Sequence, residues 1–242
     1  MLGLGNTLSG GIVPAAAASF SNTKSIDFDG SDDYMISDNN IAVTRGTFQF
    51  WMKTTTAANG TPFNFTAGHH GYLVESGGEL YFWAITPMGN KLYNSGDLLT
   101  DGEWHQILWT TEGASGELSS LKIYIDGEIR ATQTQTSTYS DVDAKLQLGR
   151  FNPYNWYTGN MDEVAIWNTA LDADAITDLY NSGTPIDLSS NSGNYDNSGD
   201  LVHWWRMGDG DTYPTIEDNA GSNDMTMTNM GEGDIEDDAP SA

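Results

Sequence analysis

The chain has 242 residues, with 34 Asp and Glu against 9 Lys and Arg, a formal net charge of -25 and no cysteine. That charge disfavours approach to nucleic-acid phosphates or an anionic bilayer. The missing cysteines exclude disulfides and thiolate zinc sites, and no apolar run approaches the roughly 20 residues of a membrane helix.

Residues Met1 to Thr23 carry no charged side chain and are rich in Gly, Ala, Ser and Asn. A signal peptide wants a basic start and a denser apolar centre, so residues 1–23 read as an uncharged arm, either disordered or ordered against a partner subunit. From Ser25 onward short strands are expected at Ser25–Phe28, Tyr34–Ile36, Thr47–Thr54, Tyr72–Ser76, Glu79–Ala84, Trp104–Thr111, Leu118–Ile125, Glu128–Ala131, Lys145–Leu148 and Gly159–Trp167. Phe48, Phe50 and Met52 alternate with Gln49 and Trp51, and Leu121, Ile123 and Ile125 alternate with Lys122 and Tyr124. Period two with one wet face predicts antiparallel sheets packed face to face. Asp126-Gly127, between Tyr124-Ile125 and Glu128-Ile129, predicts a two-residue hairpin, since its tight turn needs positive φ.

Leu171, Ala175, Ile176 and Leu179 share one side of a short helix over about Leu171–Tyr180. A polar stretch follows, then strands at Leu201–Met207 and Met225–Thr228. Asp209 to Ala242 holds ten carboxylates and no Lys or Arg. Its last part, 231–242, reads as a solvated acidic tail.

Six pieces stand in order: Ile26-Asp-Phe-Asp-Gly-Ser-Asp-Asp-Tyr34, Thr47-Phe-Gln-Phe-Trp-Met-Lys53, Asp101-Gly-Glu-Trp-His-Gln-Ile107, Leu121-Lys-Ile-Tyr-Ile-Asp-Gly127, Leu146-Gln-Leu-Gly149 and Gly159-Asn-Met-Asp-Glu-Val-Ala-Ile-Trp-Asn168. This series resembles the laminin-G-like, concanavalin-A-like jelly-roll family of lectin domains over about residues 24–183. The resemblance implies an all-β sandwich of two antiparallel sheets with one short helix. It also implies a concave face or rim loops that often bind carbohydrate, and frequently a calcium ion. A Leu-Val-aromatic-aromatic strand that precedes the Phe-Asp-Gly strand in many such domains has its counterpart here at Leu201-Val-His-Trp-Trp205, so the domain is expected to span 24–230, completed by C-terminal strands in permuted order.

Calcium takes hard oxygen ligands. In the family fold the segments holding Asp29-Gly30 and Asp162 are neighbours, so Asp29, the Gly30 carbonyl and Asp162 are the expected ligand set, with turn chemistry and strand-end hydrogen bonding as the competing reading. The loop Phe151–Tyr157 offers Tyr154, Trp156 and Tyr157 for stacking and Asn152 and Asn155 for hydroxyls. Sugar binding, protein contact and plain loop packing all suit it. Trp83 and His69-His70 are weaker candidates.

The glucanase branch of the fold needs Glu-x-Asp-x-x-Glu, which is missing. Asp162 and Glu163, adjacent on a strand, are expected to face opposite ways, wrong for a paired acid and base. A non-enzymatic protein is expected. An uncharged arm before a jelly roll is similar to virion structural proteins of tailed phages. The expectation is a homo-oligomeric capsid decoration or other surface subunit on the virion, contacting major capsid or tail subunits and binding neither nucleic acid nor membrane. The alternative is a carbohydrate-binding adhesin at a tail fibre, or a free extracellular lectin that takes surface glycans.

Overall fold

The computed structural model describes residues 20–42, 45–66, 72–84, 90–113, 117–118, 120–133, 137–138, 143–151 and 155–241. Two antiparallel sheets face each other. The first runs in the order β11 (Glu128–Gln133), β10 (Ser120–Ile125), β8 (His105–Glu112), β3 (Gly46–Lys53), β14 (Thr158–Trp167), β1 (Ser25–Asp29), β18 (Ile235–Glu236), with β15 (Leu201–Trp205) also on β14. The second runs β16 (Thr215–Ile216), β17 (Met225–Thr228), β2 (Tyr34–Ser37), β13 (Leu146–Leu148), β4 (Gly60–Phe65), β5 (Tyr72–Ser76), β6 (Glu79–Ala84), β7 (Asn90–Leu98). A two-residue pair, β9 (Glu117–Leu118) with β12 (Ser137–Thr138), stands apart.

The alternation seen in the sequence places one set of side chains between the sheets. Phe48, Phe50 and Met52 of β3, Ile107 and Trp109 of β8, and Leu121, Ile123 and Ile125 of β10 meet Phe63, Phe65, Leu146 and Leu148 of the second sheet in one core. The intervening Gln49, Trp51, Gln106 and Tyr124 therefore look outward, yet they too are buried. A second layer covers them. Helix α1 (Ala173–Tyr180) and the stretch after it bring Ala175, Ile176, Leu179, Leu188 and Tyr195 onto Leu108, Tyr124, Trp167 and Trp204. Asp172 caps the helix by accepting from the Ala175 N–H at 2.9 Å, and Asn181 ends it in the left-handed region. Tyr180 stacks on Trp51 with centroids 5.8 Å apart.

The hairpin between β10 and β11 turns on Asp126 (φ 55°) and Gly127 (φ 74°), the mirror-image turn that matches strand twist. β4 and β7 were not foreseen. Gly60 and Pro62 interrupt β4, where the ladder to β5 slips between Gly60 and Phe63, and β7 is mostly polar.

Residues 201–236 contribute to both sheets. β15 pairs with β14, β17 with β2, and β18 with β1 through Ser25↔Glu236 and Ile26↔Ile235. Residues 231–242, expected as a solvated tail, instead carry β18. Lys24 pairs with Asp237 and Lys53 Nζ lies 2.8 Å from Asp238, so two of the chain's few cations hold this acidic end against β1 and β3.

β14 is the organising strand. Along one edge it pairs with β3; along the other it pairs first with β1, at 158–161, and then with β15, at 164–167. Between these partners the ladder to β3 takes one extra residue, and Glu163 adopts φ 46°. This is a β-bulge, which turns consecutive side chains to one face.

Candidate functional site

Arg150, directly after β13, and Trp156 lie beside Tyr34 of β2, the strand paired with β13. Tyr34 alternates with the core residue Met35 and so points to the sheet's outer face, where it is half-buried. Arg150 lies flat on it, Cζ 3.4 Å from the ring centroid, and 5.3 Å from that of Trp156. The two rings stand 6.5 Å apart at 49°. With its amide turned so that oxygen faces the guanidinium, Gln147 accepts from Arg150 Nε at 2.7 Å and Nη2 at 3.1 Å. Held by Gln147 and stacked on Tyr34, with Trp156 to one side, the guanidinium is a fixed fork of donors beside two aromatic rings.

The loop's own backbone is pinned. Asn155, at φ 58°, accepts from the Thr61 N–H at 2.9 Å, and the Tyr157 N–H donates to the Gly149 carbonyl at 2.8 Å. Gly149 has φ 88°, and an added Cβ would lie 2.5 Å from the Phe28 ring, so only glycine lets the loop leave β13 here.

The expected contact residues fall into three groups. Asn155 and Trp156 are half-buried at the rim beside the stack. Tyr157 is fully buried: it packs edge-on to Phe28 at 6.0 Å and its hydroxyl donates to the carbonyls of Asn160 at 3.1 Å and Lys53 at 3.3 Å. It therefore anchors the loop and cannot touch a ligand. Asn152 and Tyr154 lie outside the described residues, as do His69, His70 and the side chain of Trp83. Sequence reasoning missed Tyr34 and Arg150. A lone Arg directly after the Leu146–Gly149 strand, in a chain with nine cations, was the available signal.

The expected calcium ligands are not brought together. Asp29 pairs with Thr158, four residues before Asp162 on β14, about 13 Å at roughly 3.3 Å per residue. Asp162 is fully buried, and both its oxygens are engaged, by the Asn22 amide at 2.7 Å and the Glu163 N–H at 2.7 Å. Asp29 gathers with Asp32 and Asp33 instead, their oxygens within 4.8 Å of one another. Asp29 accepts from the N–H groups of Ser31 and Asp32, and Asp33 from that of Asp29, the bonds of a turn. Burial pushes the Asp33 carboxyl up to about 6, although it accepts from Asp29. At Asp29 burial acts in the same sense, but those N–H donors outweigh it and hold the carboxyl below its ordinary range.

The bulge on β14 overturns the expectation for Asp162 and Glu163: both carboxylates occupy the outer face of the first sheet. Glu163 accepts from the indole N–H of Trp204 at 2.5 Å and from Arg206 Nε at 3.5 Å. Burial drives Glu163 up to about 7, partly offset by Arg206 and Trp204, and burial with the neighbouring Glu163 drives Asp162 well above the ordinary range. Phe20 to Thr23 lie across the pair. Phe20 stacks on Trp204 at 6.2 Å, Arg206 bonds the Ser21 carbonyl, and Asp209 accepts from Thr23. Both carboxylates have no exposed surface for a substrate to reach.

Among solved structures, a Bacteroides ovatus protein proposed to bind carbohydrate superposes with a TM-score of 0.66 at 18% identity, over 92% of this chain and 62% of that one. This chain thus spans about three-fifths of that protein's length. The heptameric pentraxin of Limulus polyphemus follows at 0.54 and 14%, over 66% of this chain and 82% of the other. The receptor-binding domain of botulinum neurotoxin D gives 0.51 and 14%, over 69% and 45%. At these identities the likeness is one of fold. The family model of the concanavalin A-like lectin/glucanases superfamily matches residues 28–177, more than half of the sequence and the span that holds β14, β3 and the Arg150 loop. The chain belongs to the concanavalin A-like lectin/glucanase superfamily.

Proposed function

We propose that this protein is a non-enzymatic glycan-binding module whose contact surface is the Tyr34–Arg150–Trp156 stack. The observation that carries the reading is a guanidinium stacked on half-exposed Tyr34 of β2 with half-exposed Trp156 of the rim loop beside it. Aromatic faces cover the C–H surface of a sugar ring, while the N–H groups of Arg150 and the amide of Asn155 can meet hydroxyls or a carboxylate. The name of the Bacteroides ovatus structure supports it, and the burial of Asp162 and Glu163 speaks against hydrolysis. A broad glycan array identifies the ligand, and Trp156→Ala and Tyr34→Ala then lower its affinity roughly 30-fold each, the effect of losing about 2 kcal/mol at a hot spot. Both variants keep the parent melting temperature. Wild-type protein that retains no glycan, or undiminished retention by Trp156→Ala, overturns the reading.

A second reading, as a surface subunit of a virion such as a capsid decoration, draws support from the N-terminal segment. Phe20 to Lys24 are fastened to the sandwich by Trp204, Arg206, Asp162 and Asp209, which gives the preceding uncharged residues a fixed point of departure. Antibody labelling of purified particles decides it: regular label over a shell or at a tail supports it, and unlabelled particles overturn it.

A further inference from the structure

A cavity of about 280 Å³ opens where the ends of β1, β3 and β14 meet the turn at Gly102, and neither Arg150 nor Trp156 lines it. Its wall is hydroxyl-rich and carboxylate-bearing: Asp27, Asp29, Thr55, Thr158 and Asn160 contribute, with Lys53 the one cation among the lining residues. Lys53 is already engaged by Asp238, which also accepts from the Trp104 indole at 3.2 Å. Thr54 and Asn160 are turned toward the protein: the Thr54 hydroxyl donates to the Thr158 carbonyl at 2.7 Å, and the Asn160 amide donates to Ser25 and Glu236. Asp27 and Asp29 have no ion-pair partner among the described residues. Burial raises the Asp27 carboxyl above its ordinary range, and the nearby Glu236, Asp234 and Asp29 add to the rise.

The cavity therefore combines three properties. Its volume lies at the small end of ligand pockets, which start at roughly 300 Å³, and suits one ring. Threonine hydroxyls can donate to and accept from ligand hydroxyls. The local field is negative and lacks a free counter-charge. We infer that this cavity is a second binding site, for a hexosamine unit with a free, protonated amine, whose ammonium pairs with Asp27 and Asp29 while Thr55 and Thr158 meet its hydroxyls. This site stands independently of the Arg150 stack.

The test is titration calorimetry of the full chain with a β-linked glucosamine tetramer and with its N-acetylated counterpart, with the free amines protonated. Saturable binding is expected for the amine form alone. Asp27→Asn lowers its affinity roughly tenfold or more, the loss of one charged hydrogen bond. Asp174→Asn, which removes the same charge from the exposed first turn of α1, leaves affinity unchanged. Melting curves establish that each variant is folded. Equal weakening by Asp27→Asn and Asp174→Asn reduces the effect to the chain's net charge and overturns the site. Equal affinity for the acetylated tetramer, or no saturable binding, overturns it as well. Loss in Trp156→Ala would move the binding to the aromatic stack.

Discussion

Glu163 carries more of the outer-face structure than its exposed-looking sequence context suggests. Its carboxyl is fully buried, meets Trp204 and Arg206, and is driven by burial from an ordinary value of 4.5 up to about 7. A carboxyl raised in the folded state binds a proton that the unfolded chain has released. Its stabilisation is therefore complete below about 4.5 and is lost as pH rises through about 7. Melting temperature should fall across that window, and Glu163→Gln, which keeps the neutral form at every pH, should flatten the fall. An unchanged slope in the variant would show that Glu163 is not the titrating group. Asp162 and Asp33 are raised in the same sense and leave a residual slope. None of this was legible in Asp-Glu as a dipeptide. Alternation assigns adjacent residues to opposite faces, and only the extra residue in the ladder against β3 turns both one way. The same limit applies at Trp156 and Tyr157. Both are aromatic loop residues, and one faces the rim while its neighbour is buried against Phe28 because the Gly149 carbonyl holds its backbone.

Among the elements, β15 to β18 decide whether the sandwich closes. They and the turns between them supply Trp205, Met207, Ile216, Met225, Met227 and Met230 to the main core, and Trp205 also donates to the Asn223 carbonyl at 2.9 Å. Loss of one buried Trp side chain costs about 3–5 kcal/mol. A domain's whole stability is about 5–15 kcal/mol, so losing six such side chains exceeds it. A chain ending at Asp200 should show no cooperative transition in urea when followed by far-ultraviolet circular dichroism; a midpoint equal to that of the full chain would mean that residues 201–242 are dispensable. The elements with clean period-two apolar patterns, β3, β10 and the inner half of β14, could be read directly, as could the Asp126-Gly127 turn and the capped helix. β4, β7 and β18 could not. Pro62, the polar run of β7 and the acidic stretch around Ile235–Glu236 hide strands that their neighbours impose.

Across the whole molecule, four of the nine cations in a chain of net charge -25 hold defined positions. Lys24 and Lys53 fasten the C-terminal acidic strand, Arg206 fastens the N-terminal segment over the buried carboxylates, and Arg150 forms the aromatic stack. Such a surface favours neutral or basic partners, which suits both a glycan and an amine-bearing sugar. Fold class followed from local information. Side-chain alternation, turn chemistry and helix capping act over a few residues, so strands, hairpin and helix are written where they occur. The sites followed from long-range pairing. Tyr34 and Arg150 meet because β2 and β13 are adjacent, the cavity forms because β1, β3 and β14 end together, and Asp29 parts from Asp162 because the ladder sets them four residues apart. Those adjacencies come from burying one shared core across more than a hundred residues of chain, a constraint that no local stretch contains.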